Sequence, residues 1–287
     1  MEDFDLQAVA SKSLKGFSAL TSRTFLIKVL SIVTSFVLTS LLSKSDFGIY
    51  FIASSIVVFL VYFQDIGLAA SLIQKKEEPT LQEYRATFTI QQLLVLILVV
   101  ICFIFSRNIV GFYHLDTDGM LLFFSLVISF FVSSLKTIPT VMLERNLLFN
   151  KLVIPDIVEN LVYNLVLIVM ALLHYGITSF SIAILARSII GLFVIYYIQP
   201  WKVGISFHFK TIKDLFGFGI PLQANSLLSL LKDNLVNLYI GKVLSHGDVG
   251  VIGFAQKLSF LPSNLIMDNV VRITFPAYSR LQHNKAE

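Results

Sequence analysis

Leu93-Leu94-Val95-Leu96-Ile97-Leu98-Val99-Val100-Ile101-Cys102-Phe103-Ile104-Phe105 is an apolar run without a single charge. Wound as a helix it presents apolar side chains on every face, so no face is suited to water. Followed outward to the nearest charges, the segment covers 84–106, which at about 1.5 Å per residue crosses roughly 30 Å of hydrocarbon. Membrane strands instead alternate apolar and polar residues over about ten positions, a pattern this run lacks. Segments of the same kind predict eight helices near 24–43, 47–73, 84–106, 119–143, 152–175, 177–200, 214–243 and 249–275. The expected fold class is therefore all-α, a polytopic integral membrane helical bundle.

Composition points the same way. Of 287 residues, 56% are hydrophobic and 14% charged, with a mean hydropathy of +0.80, whereas soluble domains carry about a quarter charged residues. Eight spans leave no room for a sizeable soluble catalytic domain. The net charge of +4 and pI near 9.0 are explained by topology rather than by nucleic acid. Thirteen Lys and Arg fall in loops on one side of the eight-span arrangement, among them Arg23, Lys76, Arg145 and Lys202. Three fall on the other (Lys44, Arg107, Lys242), and six lie within spans. Cytoplasmic loops hold the positive excess, so both termini are expected in the cytoplasm. Met1–Lys15 is polar and of mixed charge, unlike a cleaved signal peptide. Cys102 is the one cysteine and has no internal disulfide partner. The five histidines lack ligand-like spacing, so neither a metal nor a cofactor is expected.

Trp201–Lys210 alternates Val203, Ile205, Phe207 and Phe209 with polar or small residues, which suits an extended interfacial linker. On either side of it lies a repeat. Leu14-Lys15-Gly16-Phe17 is echoed by Leu215-Phe216-Gly217-Phe218, and Asp46-Phe47-Gly48 by Asp248-Val249-Gly250 at an offset of 202. The two copies keep the same membrane orientation, which implies two bundles related by an axis along the membrane normal. The division is a six-helix lobe over 1–200, a cytoplasmic linker over 201–213, and two helices of a second lobe over 214–287.

Several stretches now stand in a familiar order: Ser45-Asp46-Phe47-Gly48, Asp65-Ile66-Gly67-Leu68-Ala69-Ala70-Ser71-Leu72-Ile73-Gln74, Leu143-Glu144-Arg145-Asn146-Leu147-Leu148-Phe149, Phe216-Gly217-Phe218-Gly219, Ile240-Gly241 and Phe275-Pro276-Ala277-Tyr278-Ser279-Arg280-Leu281-Gln282. The chain resembles the polysaccharide (oligosaccharide) flippases, of O-antigen and colanic-acid type, in the multidrug/oligosaccharidyl-lipid/polysaccharide exporter superfamily. The resemblance implies a protein of a prokaryotic cytoplasmic membrane that is no enzyme. It would move a polyprenyl-diphosphate-linked oligosaccharide outward by alternating access, beside other polysaccharide-assembly membrane proteins. That family usually has twelve to fourteen helices, so a chain ending after the eighth is expected to be a fragment or truncated gene, unable to translocate alone. The family's frequent acid five positions before the Gly of Ile240-Gly241 is Val236 here, with Asp233 one turn earlier.

An ionisable residue at mid-span costs about 2.5–3.5 kcal/mol on insertion scales, so those present should face a cavity, water or a partner. Arg187 lies deepest. Together with Lys28, Lys136, Lys232 and Lys257 it forms the set of candidate substrate-binding cations. Asp65, Asp156, Glu159 and Asp233 are candidate ion-coupling acids. Asp65, Lys136, Asp156 and Glu159 fall in the cytoplasmic half of the first lobe, which suggests a water-filled cavity or interhelical salt bridges such as Asp65 with Lys136. Pro139, Pro155, Pro221 and Pro262 can kink spans and free carbonyls. The competing functions are a cation-coupled drug antiporter of the same superfamily, which prefers an acidic cavity, and a membrane glycan polymerase or ligase, which needs a larger outer domain.

The topology is open to cysteine labelling from outside intact cells, in a Cys102→Ser background. Position 116 should label ahead of positions 76 and 210; the reverse order would sink the eight-span arrangement.

Overall fold

A computed structural model describes residues 6–64, 67–75, 77–206 and 234–260, with side chains from Ser22 onward. The helices are α1 Leu6–Leu41, α2 Lys44–Phe63, α3 Leu68–Gln74, α4 Leu81–Phe112, α5 Thr117–Ser134, α6 Thr137–Arg145, α7 Phe149–Leu172 and α8 Thr178–Ile198. Residues 234–243 and 246–260 are also helical, and no strand occurs among the described residues. Six of these helices are long and apolar enough to cross a membrane: α2, α4, α5, α7, α8 and the Ser22–Leu41 part of α1. The expected seventh and eighth spans are described only over 234–243 and 246–260.

Two of the expected spans are not single helices. The 47–73 segment ends α2 at Phe63 and restarts as α3 after Gly67, whose φ of 75° is left-handed. Glycine reaches that region without steric cost. The freed end of α3 is held by Arg145, whose guanidinium donates to the carbonyls of Leu72 (2.7 Å), Ile73 (3.0 Å) and Glu77 (2.6 Å). The 119–143 segment breaks between α5 and α6, where Leu135 and Lys136 close tight turns onto Val132 and Ser133. Pro139 accounts for this break. It has no N–H for the carbonyl of Leu135, and that carbonyl accepts the Tyr196 hydroxyl at 3.1 Å instead. The first helix also starts earlier than expected, at Leu6, which places Arg23 inside α1 rather than in a loop.

Helix ends at the α1–α2, α4–α5 and 243–246 turns are capped by short acidic residues. Ser43 and Asp46 form a capping box on α2, and Asp116 Oδ1 accepts the Gly119 N–H at 2.7 Å. At the start of 246–260, Ser245 Oγ accepts the Asp248 N–H and donates to Asp248 Oδ2. Each cap supplies partners for helix N–H groups that the helix itself cannot satisfy.

Inside the bundle α8 packs against α7 and α5, and α1 against α7. Small residues permit the close approach, since lipid supplies no hydrophobic push between helices. Ala171 on α7 and Ala183 on α8 are fully buried. Large apolar side chains such as Ile104, Leu165 and Phe193 are 66%, 63% and 71% exposed, as suits surfaces whose solvent is hydrocarbon. Trp201–Ser206 runs without helix along α4, where Arg85 Nε donates to the Lys202 carbonyl and the Ser206 N–H to Thr89 Oγ1.

The echoed Asp-x-Gly segments meet face to face. A Cβ added to Gly48 would fall on the carbonyl of His246, and one added to Gly250 on the carbonyl of Lys44. His246 stands 202 residues after Lys44, so the contact is reciprocal, as a two-fold relation requires. Gly253 likewise has no room for a Cβ under the Phe51 ring. Gly48→Ala should therefore lower stability by about 1–3 kcal/mol through overpacking, read as a lower Tm in detergent. Gly111→Ala, where a Cβ meets nothing within 4 Å, should leave Tm unchanged or raise it slightly.

Candidate functional site

Glu159 lies on α7, one turn after Pro155, and is only 6% exposed. Two cations from other helices reach its carboxylate. Lys136 Nζ donates to Oε1 at 2.6 Å, and Arg187 Nε stands 3.5 Å from Oε2. Each is placed by a local feature. Lys136 occupies the break between α5 and α6, where the interrupted helix aims its ammonium across at α7. Arg187 is near the middle of α8, and its guanidinium also lies 5.8 Å from the Tyr163 ring centroid, within cation–π range. Gly191, one turn after Arg187, makes the room: a Cβ there would collide with the Glu159 carboxylate. A second pair adjoins the first, with Arg23 Nη1 of α1 donating to Asp156 Oδ2 at 2.6 Å.

The charges border two cavities. One, of about 230 Å³, is walled by Arg23, Lys136, Glu144, Asp156 and Glu159 together with Pro155 and Ile195. Burial, with the nearby charge of Asp156 second, raises the pKa of Glu144 above the usual carboxylate range. The other cavity, of about 260 Å³, lies between α1, α2, α7, α8 and residues 246–260. Its charged lining is Arg187 and Lys257, with no carboxylate among the described lining residues. Lys257 crosses to α1 and donates to Ser35 Oγ at 2.7 Å.

The structure thus brings together Lys136, Asp156, Glu159 and Arg187, and carries Lys257 to the second cavity. Lys28 sits half-buried on α1 and lines neither cavity. Asp65, Lys232 and Asp233 lie outside the described residues, as does any Asp65–Lys136 pair. Sequence reasoning missed Arg23, which it counted with the loops, and Gly191, a glycine in an apolar run. The available signal was spacing: Gly191 is four residues from Arg187, hence on the same helix face. No three His, Cys, Asp or Glu among the described residues cluster as a metal site would require.

Removing one partner from a buried ion pair costs about 3–5 kcal/mol, because the other charge is left uncompensated. Glu159→Gln should lower the Tm in detergent accordingly, and Glu159→Gln with Lys136→Met should recover part of the loss. Gly191→Ala should destabilise as well, by displacing the carboxylate. Additive losses in the double variant would show that the pair does not interact.

A family model described as "Polysaccharide biosynthesis protein" matches residues 37–287. The chain is 23% identical over 283 residues to the teichuronic acid biosynthesis protein TuaB of Bacillus subtilis (strain 168), covering 98% of this chain and 58% of that protein. To the succinoglycan biosynthesis transport protein ExoT of Rhizobium meliloti (strain 1021) it is 20% identical over 257 residues, 89% of this chain and 51% of that one. To the lipopolysaccharide biosynthesis protein WzxC of Escherichia coli (strain K12) the figures are 23% over 279 residues, 96% and 56%. The chain therefore spans a little over half the length of these relatives. In fold it is similar to the MATE multidrug transporter DinF-BH, with a TM-score of 0.63 and 16% identity over 94% of this chain and 65% of that one. With its membrane-crossing helices in that transporter-like arrangement, the chain is a multi-pass membrane protein belonging to the polysaccharide biosynthesis protein family.

Proposed function

We propose that the chain acts in moving a polyprenyl-diphosphate-linked oligosaccharide from the inner to the outer leaflet of a prokaryotic cytoplasmic membrane. The observation that carries this reading is the larger cavity, bounded by Arg187 and Lys257 without a lining carboxylate among the described residues. A diphosphate cannot enter hydrocarbon unpaired, and two cations in a partly dry cavity offer charge-assisted hydrogen bonds to it. The names of the relatives support the same cargo class, one of them being a biosynthesis transport protein. A transporter rather than an enzyme follows from this reading.

In this reading residues 1–200 form one lobe, 201–213 a cytoplasmic linker and 214–287 the beginning of a second lobe, with the termini in the cytoplasm. The positive loops then put the Arg23, Lys136, Asp156 and Glu159 cavity toward the cytoplasm. The Gly48–Gly250 contact falls toward the outside, where it closes the path. Rocking of the lobes would open that contact and expose the cavity to the outer leaflet. Glu159 and Asp156 are the coupling acids. Loss of the Glu159 charge would free Arg187, which lines the larger cavity, for the diphosphate. Asp65 and Asp233 remain coupling candidates, and Lys28 and Lys232 substrate-side cations, by their places in the sequence. A drug antiporter shares the fold, but a cationic drug would meet two positive charges in the larger cavity.

The test is export in a strain whose only polysaccharide flippase is the one carrying this chain. Arg187→Ala should abolish surface glycan while the protein stays in the membrane. Arg187→Lys keeps the charge but not the planar fork, so it should retain partial export. Parental export by Arg187→Ala would remove Arg187 from the substrate path.

A further inference from the structure

The chain that leaves α8 stays close to the bundle. Arg85 Nε on α4 donates to the Lys202 carbonyl at 3.1 Å, and the Ser206 N–H donates to Thr89 Oγ1, also at 3.1 Å. Both contacts use backbone atoms of 201–206, so they depend little on which side chains stand there. Trp201 is different. Its indole is half-buried, edge-on to Phe88 with ring centroids 5.2 Å apart. It packs on a cluster that includes Leu68 and Leu72 of α3 and Ile138 and Val141 of α6. Its Nε1–H donates to the Tyr196 hydroxyl at 3.3 Å, and that hydroxyl donates in turn to the Leu135 carbonyl at 3.1 Å.

Leu135 immediately precedes Lys136, and these two residues make up the break between α5 and α6. Pro139 has no N–H to give the Leu135 carbonyl, so the orientation of that peptide leans on the donor supplied by α8. The Leu135 carbonyl and the Lys136 nitrogen belong to one planar peptide group. Turning the carbonyl away from Tyr196 therefore turns the Lys136 backbone, and with it the stem that carries Nζ to Glu159 Oε1 at 2.6 Å. A tyrosine hydroxyl accepts as well as donates, so the indole N–H also polarises and strengthens the bond that Tyr196 makes. Indole, hydroxyl and peptide stand in series. Phenylalanine at 196 would fill the same space and break the series.

We propose that Tyr196 is a positioning residue for Lys136, and that through it the Glu159–Lys136 pair is coupled to Trp201 in the segment leaving α8. The inference rests on the flippase reading for its use and deepens it, by giving the coupling acid a mechanical output. Coupling of this kind is reciprocal. Loss of the Glu159 charge relaxes Lys136, turns the Leu135 peptide and loosens Trp201 from its cluster. Pulling 201–206 away from α4 in turn weakens the hold of Lys136 on Glu159.

Trp201 is the one tryptophan of the chain, so tryptophan emission from the purified protein in detergent reports this position without a label. The experiment reads that emission and its quenching by acrylamide, in the whole chain and well below the Tm. Glu159→Gln should shift the emission to longer wavelength and increase the quenching. Glu159→Gln with Lys136→Met should do the same, and as the more stable form it guards against a variant that fails to fold. Asp156→Asn, which breaks the neighbouring pair with Arg23, should leave both readings unchanged. Tyr196→Phe should shift the emission by itself, and adding Glu159→Gln to it should produce no further shift. The inference is overturned by unshifted emission in both Glu159 variants, by an equal shift in Asp156→Asn, or by a full further shift in the Tyr196→Phe background. No cargo takes part, so each of these overturning results leaves the flippase reading, which is tested by export, standing.

Discussion

A carboxylate enclosed by apolar helices is stable only with a partner, and the Glu159 carboxylate organises much of this bundle around that requirement. Its two cations come from separate helices, Lys136 from the α5–α6 break and Arg187 from α8. The pairing therefore ties three parts of the fold to one atom group. Each supporting feature makes sense as a consequence. Pro139 interrupts the helix so that Lys136 can turn inward, Tyr196 satisfies the carbonyl that the proline leaves free, and Gly191 yields space that any side chain would occupy. Buried ion pairs do not in general add stability over apolar packing. In the flippase reading these charges are placed in the middle of the bundle for the work they do there.

The second organising contact is steric rather than electrostatic. Gly48 and Gly250 let the starts of α2 and of 246–260 approach until backbone meets backbone. Around that point Phe47, Phe254 and Phe180 close over the larger cavity. The close backbone contact is flanked by side-chain packing, with the Phe254 ring edge-on to Phe47 and Gly253 beneath the Phe51 ring. The capping residues flanking it, Ser43 with Asp46 and Ser245 with Asp248, keep each helix start intact on its own side.

Much of this was legible in the sequence because the bilayer imposes a simple code. Runs such as Leu93–Phe105 have one stable outcome in hydrocarbon, a helix, and among the described residues six helices long and apolar enough to cross a membrane overlap the first six expected segments. The Asp-x-Gly echo also pointed to two segments that do meet. Breaks were harder to see. Gln64 and Asp65 at the first break, and Ser133, Ser134, Lys136 and Thr137 at the second, are short polar interruptions of longer apolar segments. Hydropathy averaged over a span carries through them, and Gly67 and Pro139 are the backbone signals. Pairing was harder still. Arg23 and Asp156 are 133 residues apart, and nothing local tells an arginine at a helix end whether it will meet headgroups or a carboxylate. Arg145 shows the opposite error of scale: read as one more positive loop charge, it caps α3 through the Leu72 and Ile73 carbonyls and holds the Glu77 carbonyl beyond it.

The fold is similar to that of a multidrug transporter at 16% identity, so the residues lining its cavities are largely this chain's own. The backbone arrangement sets where a cavity can exist, at the meeting of α1, α2, α7, α8 and 246–260, but not its sign. Here the sign is set by a few residues. Placing Glu159 on the far side of Arg187 keeps the carboxylate out of the larger cavity's lining while still offsetting the arginine's charge at rest. Of the two lining cations, Arg187 is thus offset by a carboxylate outside the lining, while Lys257 donates to the Ser35 hydroxyl. In the flippase reading an anion would not have to displace a carboxylate from the cavity lining, and Arg187 is 44% exposed along its side chain. A single acid at a cavity-facing position on α1 would offset one of the two lining cations and so weaken that preference rather than invert it.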